Sequence, residues 1–382
     1  FNVIQAVALA EFEGLTVPNM EGQLPLVDLD PTQPNPAYFD IVDFTIRLGA
    51  QKELYVALLP TWGDKVSRIW GSGPEVLNHE NAVMYGRWLG ARYKDENNLM
   101  WVLGGDRPAI TEQADYRPVW RSLAAGIDQG CGYRAFKTYH PSGGNSTSQW
   151  LQDEDWLDMH MIQSGHGSGR DAPVAWETVA HDYGLTPIRP VLDAEPNYED
   201  HPVNPWPTYD PANGYFRDDD VRKQCYRSVF AGGCGVTYGH HAIWQFAGER
   251  HGLFNYADRS WQVALDRPGA QQIHHLKDLI LSRPYWSRLP AQEMLLSGAG
   301  QGAAYVSATR DSQGSFALVY SPQEGHTVQV DLSMLESQLN VSWFDPRTGA
   351  YQFIGEIKGQ DSASFISPHR GPDWVLVLEA AG

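Results

Sequence analysis

Two carboxylates stand where a rigid backbone can aim them. Asp106 closes the stretch LMWVLGGDRP (99–108), and Glu195 closes IRPVLDAE (188–195). Each follows an apolar run of the kind that forms a strand buried on both faces. A pair of such carboxyls can divide one task, one protonated as general acid and the other ionised as nucleophile or base. Gly104 and Gly105, just before Asp106, let backbone or substrate come close to it. A plainer reading stays open beside this one: Asp106 pairs with neighbouring Arg107 and caps the following loop.

Seven buried, strand-like runs position such groups: 2–9, 53–62, 99–106, 135–140, 156–163, 188–195 and 235–244. Helical patterns lie between them at 37–51, 78–94 (opening on an Asn cap), 115–130 and 218–233, the last with Asp218–Asp220 in its first turn. Regular alternation of strand and helix predicts a parallel sheet. At this length a (β/α)8 TIM-type barrel is favoured over an open doubly wound sheet. No strand is followed by the G-x-G-x-x-G fingerprint of dinucleotide binding. A closed barrel wants eight strands, and the first of these seven starts at the chain's first residues. Phe1 is therefore expected not to be the natural start, with one β/α unit missing ahead of it and an unpaired edge left beside residues 2–9.

After a last helix at 269–283 the texture changes to short alternating segments divided by Gly, Pro and Asp turns. That pattern predicts an antiparallel β-sandwich. The expected division is a barrel over 1–292 and a sandwich over 293–382, with all candidate chemistry in the first part.

In barrels of this type the reactive groups gather at the carboxyl ends of the strands. Those ends read LAEFEG (Glu11, Glu13), LPTWGDK (Trp62, Asp64), GGDRP (Asp106, Arg107), TYHPSGG (His140), MIQSGHG (Gln163, His166), DAEPNYED (Asp193, Glu195, Asn197, Tyr198) and YGHHAIWQF (His240, His241, Trp244). Carboxylates, His and Gln suit hydroxyl groups, and Trp suits the apolar face of a ring, so the set fits a polyhydroxylated ligand. Core or structural roles stay open for Trp62, Trp244, His140 and His166. Adjacent His240 and His241 point apart on a strand and lack metal-ligand spacing, which favours hydrogen bonds to a sugar or to the catalytic pair. No metal site and no cofactor is expected. The Gly-rich PSGGNS (141–146) lacks the lysine of a phosphate loop.

A net charge of −18 over 382 residues argues against nucleic acid or an anionic membrane as partner. No run of ~20 apolar residues suits a membrane-spanning helix. Cys131, Cys225 and Cys234 form neither a metal pattern nor a disulfide framework. Free thiols and a Cys225–Cys234 bridge are both open.

Taken together, NVIQAVALAEFEG, LPTWGDK, VLGGDRP, TYHP, AEPNYE and TYGHHAIWQ, in this order, resemble the apiosidase-like glycoside hydrolases (glycoside hydrolase family 140 and relatives). The tail WFDPRTGAY…GPDWVLVLE resembles the small β-sandwich that often follows, known there as a collagen-binding domain. The resemblance covers essentially the whole chain. It implies a retaining, exo-acting enzyme that takes a carbohydrate substrate and releases a terminal sugar, apiofuranose foremost, from plant glycosides or pectic side chains. Asp106 would be its acid/base and Glu195 its nucleophile. An endo-β-glucanase or arabinosidase on the same barrel is the alternative enzyme, and a carbohydrate- or matrix-binding protein with a decayed barrel the alternative outside catalysis. A retaining pair would lie about 5–5.5 Å apart. Asp106 should then have its proton affinity raised by burial or by Glu195, and Glu195 should be held ionised by hydrogen bonds, with the histidines after the last strand as candidates.

Overall fold

The computed structural model describes residues 1–166, 174–249 and 252–381. The chain forms two compact units, Phe1–Gln163 and Ser164–Gly382.

In the first unit, strands β1 (Val3–Leu9), β2 (Tyr55–Thr61), β3 (Leu99–Gly104) and β4 (Lys137–His140) form a parallel sheet in that order. The register pairs Leu9 with Thr61, Leu58 with Trp101 and Gly104 with His140. β5 (His160–Ile162) follows β4, tied to it through a parallel bridge from Thr138 to Met159. Helices α1 (Pro36–Gln51), α2 (His79–Tyr93) and α3 (Arg117–Cys131) are the longer connections, and α4 (Ser148–Leu151) is a single turn.

Local chemistry sets these boundaries. Asn78 Oδ1 accepts from the backbone of Glu80 and Asn81, and Asn81 Oδ1 accepts from Asn78 N, so α2 starts on a reciprocal cap. Gly86 and Gly90 of α2 meet Gly126 and Gly130 of α3, backbone against backbone. A Cβ at Gly90 would sit 2.3 Å from Ile127 O, and one at Gly130 2.2 Å from Arg87 O. Two G-x-x-x-G spacings thus bring these helices closer than side chains would allow.

The second unit carries α5 (Val174–Tyr183), β6 (Val191–Asp193), α6 (Asp218–Phe230), β7 (Gly235–Val236), α7 (His241–Trp244), α8 (Trp261–Ala264) and α9 (Pro268–Leu281). β6 and β7 are parallel, with Asp193 opposite Val236. Among the described residues, seven parallel strands precede the antiparallel part. The acidic triplet Asp218–Asp220 forms the first turn of α6, where the helix dipole favours negative charge. One expectation needs correcting. The run 235–244 is a strand only at Gly235–Val236, and His241–Trp244 are helical. Gly239 lies so close to Tyr198 that a Cβ there would come within 2.0 Å of its ring, and His240 then caps the turn by accepting from Ala242 N.

The antiparallel part holds β8 (Arg288–Pro290), β9 (Leu295–Ser297), β10 (Ser307–Asp311), β11 (Phe316–Ser321), β12 (Thr327–Asp331), β13 (Gln338–Asp345), β14 (Ala350–Lys358), β15 (Ser362–Ile366) and β16 (Trp374–Ala380). One sheet runs β14-β13-β16-β11-β10-β8, the other β15-β12-β9. Already at 288–290, ahead of the expected division at 292, the chain has joined the larger sheet.

One face of that sheet, with Val319, Trp343 and Leu376, packs against the smaller sheet around Val328, Val330 and Phe365. Its other face, with Leu318, Tyr320, Phe344 and Val377, packs on Tyr226 and Phe230 of α6 and Ile273 and Leu276 of α9. Arg222 of α6, 1% exposed, bonds Asp373 through Nε (3.0 Å) and Nη2 (2.8 Å), and Tyr320 donates to the same carboxylate. The sandwich therefore shares a core and a buried ion pair with the helices before it. All three cysteines are free thiols, which closes the bridge alternative. Among the described residues, no helix is long and apolar enough to cross a membrane.

Candidate active site

Asp106 leaves the end of β3 in a left-handed backbone conformation, with φ of 50°. Few non-glycine residues take that conformation, and aspartate is among those that do so most readily. Here three loops pass close to one another. Gly105 N donates to His140 O and Gly63 N donates to Gly105 O, both at 3.1 Å. A Cβ at Gly105 would fall 2.7 Å from Gly63 N, and one at Gly104 2.5 Å from His140 O. The glycines let the strand-end loops touch, and Asp106 is the side chain left at the junction.

Its carboxylate is about a quarter exposed. Oδ2 accepts from the indole N–H of Trp70 at 3.0 Å and from Arg107 Nη1 at 3.2 Å. Arg107 is 1% exposed; its Nη2 donates to Glu11 Oε1 at 2.9 Å, and its Cζ lies 4.5 Å from the Trp70 ring centroid. The plainer reading of an Asp106–Arg107 pair is thus realised, within a larger group of Glu11, Arg107, Asp106 and Trp70. At Oδ2 Asp106 thus meets two donors, and donors of this kind favour the ionised form of a carboxyl. At Glu11, burial pushes the carboxyl up, Arg107 partly offsets this, and the charges of Asp106 and Asp64 add to the rise.

Asp64 is fully buried. Lys65 Nζ donates to its Oδ2 at 2.8 Å, as does Gly73 N at 3.0 Å, and the same ammonium caps Phe12 O and Gly73 O. This ion pair ties the 63–73 loop to the end of β1, while Oδ1 of Asp64 has no hydrogen-bond partner. Trp62 lies tilted against His140, with ring centroids 5.5 Å apart, and its indole N–H has no partner. Nδ1 of His140 lies 3.0 Å from Pro141 O and 3.3 Å from Asp106 N, and each tautomer serves one of these. Gln163, 6% exposed at the end of β5, has an unpartnered Oε1. A buried amide oxygen without a donor is costly, so Gln163 has capacity for a ligand.

In the second unit, Glu195 follows β6 and is 8% exposed. Its backbone carbonyl accepts from Ser164 N at 3.1 Å and Gly165 N at 2.9 Å. Below it lies a continuous polar chain. Asp193 accepts from Ser164 Oγ (2.7 Å) and Ser228 Oγ (2.6 Å), Gln224 donates to Ser164 Oγ and accepts from Asn197 N, and Asn197 Oδ1 accepts from His166 N. Burial pushes the Asp193 carboxyl up to about 6, against the pull of the two hydroxyls.

His166, with φ of 73°, stacks on His201 at 4.1 Å and sits edge-on to Tyr198 at 4.4 Å. Its Nε2 lies 3.3 Å from Glu195 Oε1, an ion-pair distance without hydrogen-bond alignment. This is the histidine beside Glu195. His240 and His241 were the expected ones, but each spends both ring nitrogens elsewhere: His240 on Asp200 and Ala242 N, His241 on Asn255 O and the Trp244 indole. Both are nearly fully buried. Burial lowers His241 to about 4 and drives His201 further down, with His166 adding to each, so both stay neutral. Trp244 is 44% exposed and keeps an open face.

Trp70, Asp200 and His201 were not singled out in the sequence. Trp70 sits in RIWGSGP, where an aromatic among Gly and Pro was a legible loop signal. Asp200 receives His240, Arg259 and Arg267, whose combined pull exceeds the burial cost and holds the carboxyl below its usual range. Among the described residues, no group of His, Cys, Asp or Glu is arranged to hold a metal ion.

Residues 1–287 match the family model described as "Apiosidase-like, catalytic domain", and residues 289–379 match "Putative collagen-binding domain of a collagenase". A solved structure described as "Glycoside hydrolase" superposes with a TM-score of 0.88 at 30% identity, covering 100% of this chain and 86% of the other. A family 5 glycoside hydrolase from Bacteroides vulgatus gives 0.87 at 31% identity, covering 100% and 83%. A third structure from the same species, at 13% identity and a TM-score of 0.68, shares the fold. No curated protein matches the chain. The fold class is a barrel-type α/β domain followed by an antiparallel sandwich.

Proposed function

We propose that this chain, which belongs to the apiosidase-like glycoside hydrolases, is a retaining exo-glycosidase that releases a terminal apiofuranose from plant glycosides or pectic side chains. The observation that carries the reading is the placement of Asp106 and Glu195. Each unit presents a carboxyl, partly accessible, at the carboxyl end of a buried parallel strand, where barrel enzymes keep their reactive groups.

Asp106 donates its proton to the glycosidic oxygen as the bond from that oxygen to the anomeric carbon breaks. Glu195 forms the new bond to that carbon. Water then attacks the carbon, its proton passes to Asp106, and Glu195 leaves as carboxylate. Trp70 and Arg107 both hold Oδ2, which fixes how the carboxyl is turned. Trp62, His140, Gln163, His166 and Trp244 supply polar and ring contacts for the sugar.

The match to a family 5 glycoside hydrolase at 31% identity favours a second reading, another sugar on the same barrel, such as a glucan or an arabinoside. A panel of nitrophenyl glycosides together with an apiose-bearing flavonoid separates the two. Release of apiose with retained anomeric configuration, seen by NMR at early times, is the expected result. Turnover of polymer interiors without release of terminal sugars contradicts the exo reading.

A further inference from the structure

We propose that Glu11 is a positioning residue that, through Arg107 and in opposition to Trp70, sets how readily Asp106 keeps its proton. This deepens the proposed reading and rests on Asp106 being the acid.

The geometry is a four-part contact. The guanidinium of Arg107 is shared between Glu11 Oε1 at 2.9 Å and Asp106 Oδ2 at 3.2 Å, and Nη1 also holds Asp106 O at 2.7 Å. Arg107 is almost wholly buried, whereas Glu11 and Asp106 are each about a fifth to a quarter exposed. Arg107 lies over the Trp70 ring, and the indole N–H of Trp70 reaches the same Asp106 oxygen. Two donors therefore pull Asp106 toward the carboxylate. A second carboxylate divides the charge of one of them and repels Asp106 directly.

Among the described residues of this unit, Asp64, Lys65, Tyr139 and His140 are further charged or titratable groups near the pair. Lys65 is engaged by Asp64, and the Tyr139 hydroxyl donates to Arg107 O. The coupling is reciprocal: the charge of Asp106 is among the causes that push the Glu11 carboxyl up.

The signs follow from electrostatics. Glu11→Gln removes a negative charge and leaves Arg107 undivided beside Asp106, so Asp106 loses its proton at lower pH. Trp70→Phe keeps a ring under the guanidinium and removes only the N–H that stabilises the carboxylate, so Asp106 keeps its proton to higher pH. The two changes must move the alkaline limb of activity in opposite directions.

The test is the pH dependence of kcat/KM on a glycoside with a poor leaving group, for which the proton is required. Glu11→Gln is expected to lower the alkaline limb by roughly 0.5–1 pH unit, and Trp70→Phe to raise it by a similar amount. Glu11→Asp should restore part of the wild-type position. Trp70 is 55% exposed, so its variant should fold even if Glu11→Gln does not, and its upward shift alone must still appear. Uniform rate loss with no shift, or shifts of the same sign, overturns the proposal. Asp106→Asn serves as control. Equal losses on good and poor leaving groups would remove the acid itself, whereas unequal losses together with unshifted profiles would refute only the coupling.

Discussion

Glu195→Gln is expected to abolish turnover of every glycoside the enzyme accepts, by about 10⁴-fold or more, whatever the leaving group. The amide is nearly the same size and leaves the backbone bonds from Ser164 and Gly165 to the Glu195 carbonyl intact. Asp193, Gln224 and Asn197 continue to hold the loop, and His166 keeps its stack on His201. The loss is therefore chemical, and the melting temperature should stay close to that of the parent. An activated aryl glycoside cannot rescue the variant, because a better leaving group does not replace a nucleophile. Measurable wild-type-like kcat on such a substrate, in folded protein, would remove Glu195 from the role.

The second large effect concerns the sandwich. All candidate chemical residues precede residue 250, so the sandwich is expected to be dispensable for the chemical step, yet it shares a core with the helices before it. Ending the chain at Ser287 would expose Tyr226, Phe230, Ile273 and Leu276 at once and strand Arg222 without Asp373. Such a truncation should yield insoluble or unfolded protein. Asp373→Ala isolates one contribution within the full chain. Breaking a buried pair by removing one partner costs about 3–5 kcal/mol. Asp218 also reaches Arg222, at 2.8 Å, so the loss should fall at the lower end of that range, read from urea unfolding. A truncated protein that is soluble, folded and active would contradict the shared core, as would an Asp373→Ala variant as stable as the parent.

Much of the fold was legible because burial leaves a periodic mark. The apolar runs at 2–9 and 99–106 became β1 and β3, and Asn78 and Asp218–Asp220 marked the starts of α2 and α6. The run 235–244 misled because a short apolar stretch does not distinguish strand from helix. What decided it was the close passage of Gly239 and Tyr198, a contact between segments far apart in the chain. The sandwich's second buried face was written in FALVYS (316–321), six apolar or small residues in unbroken succession and all buried. A one-sided strand would alternate.

Asp106 and Glu195 could be picked out because a strand end fixes where a carboxyl goes. Their neighbours could not. Trp70 comes to Asp106 across 36 residues of sequence and Glu11 comes to Arg107 across 96. The two histidines at 240 and 241 had the right types at the right end, yet partners inside the protein engage both ring nitrogens of each.

The most direct measurement of the central claim is the dependence of Asp106→Asn on the leaving group. The variant cannot donate a proton, and only departing groups of high basicity need one. Measured side by side, kcat/KM on an alkyl or flavonoid glycoside should fall by about 10²–10⁴-fold, while that on an activated aryl glycoside of the same sugar falls by less than about tenfold. Equal losses on the two substrates would contradict the assignment of Asp106 as the acid, and with it the division of labour between Asp106 and Glu195.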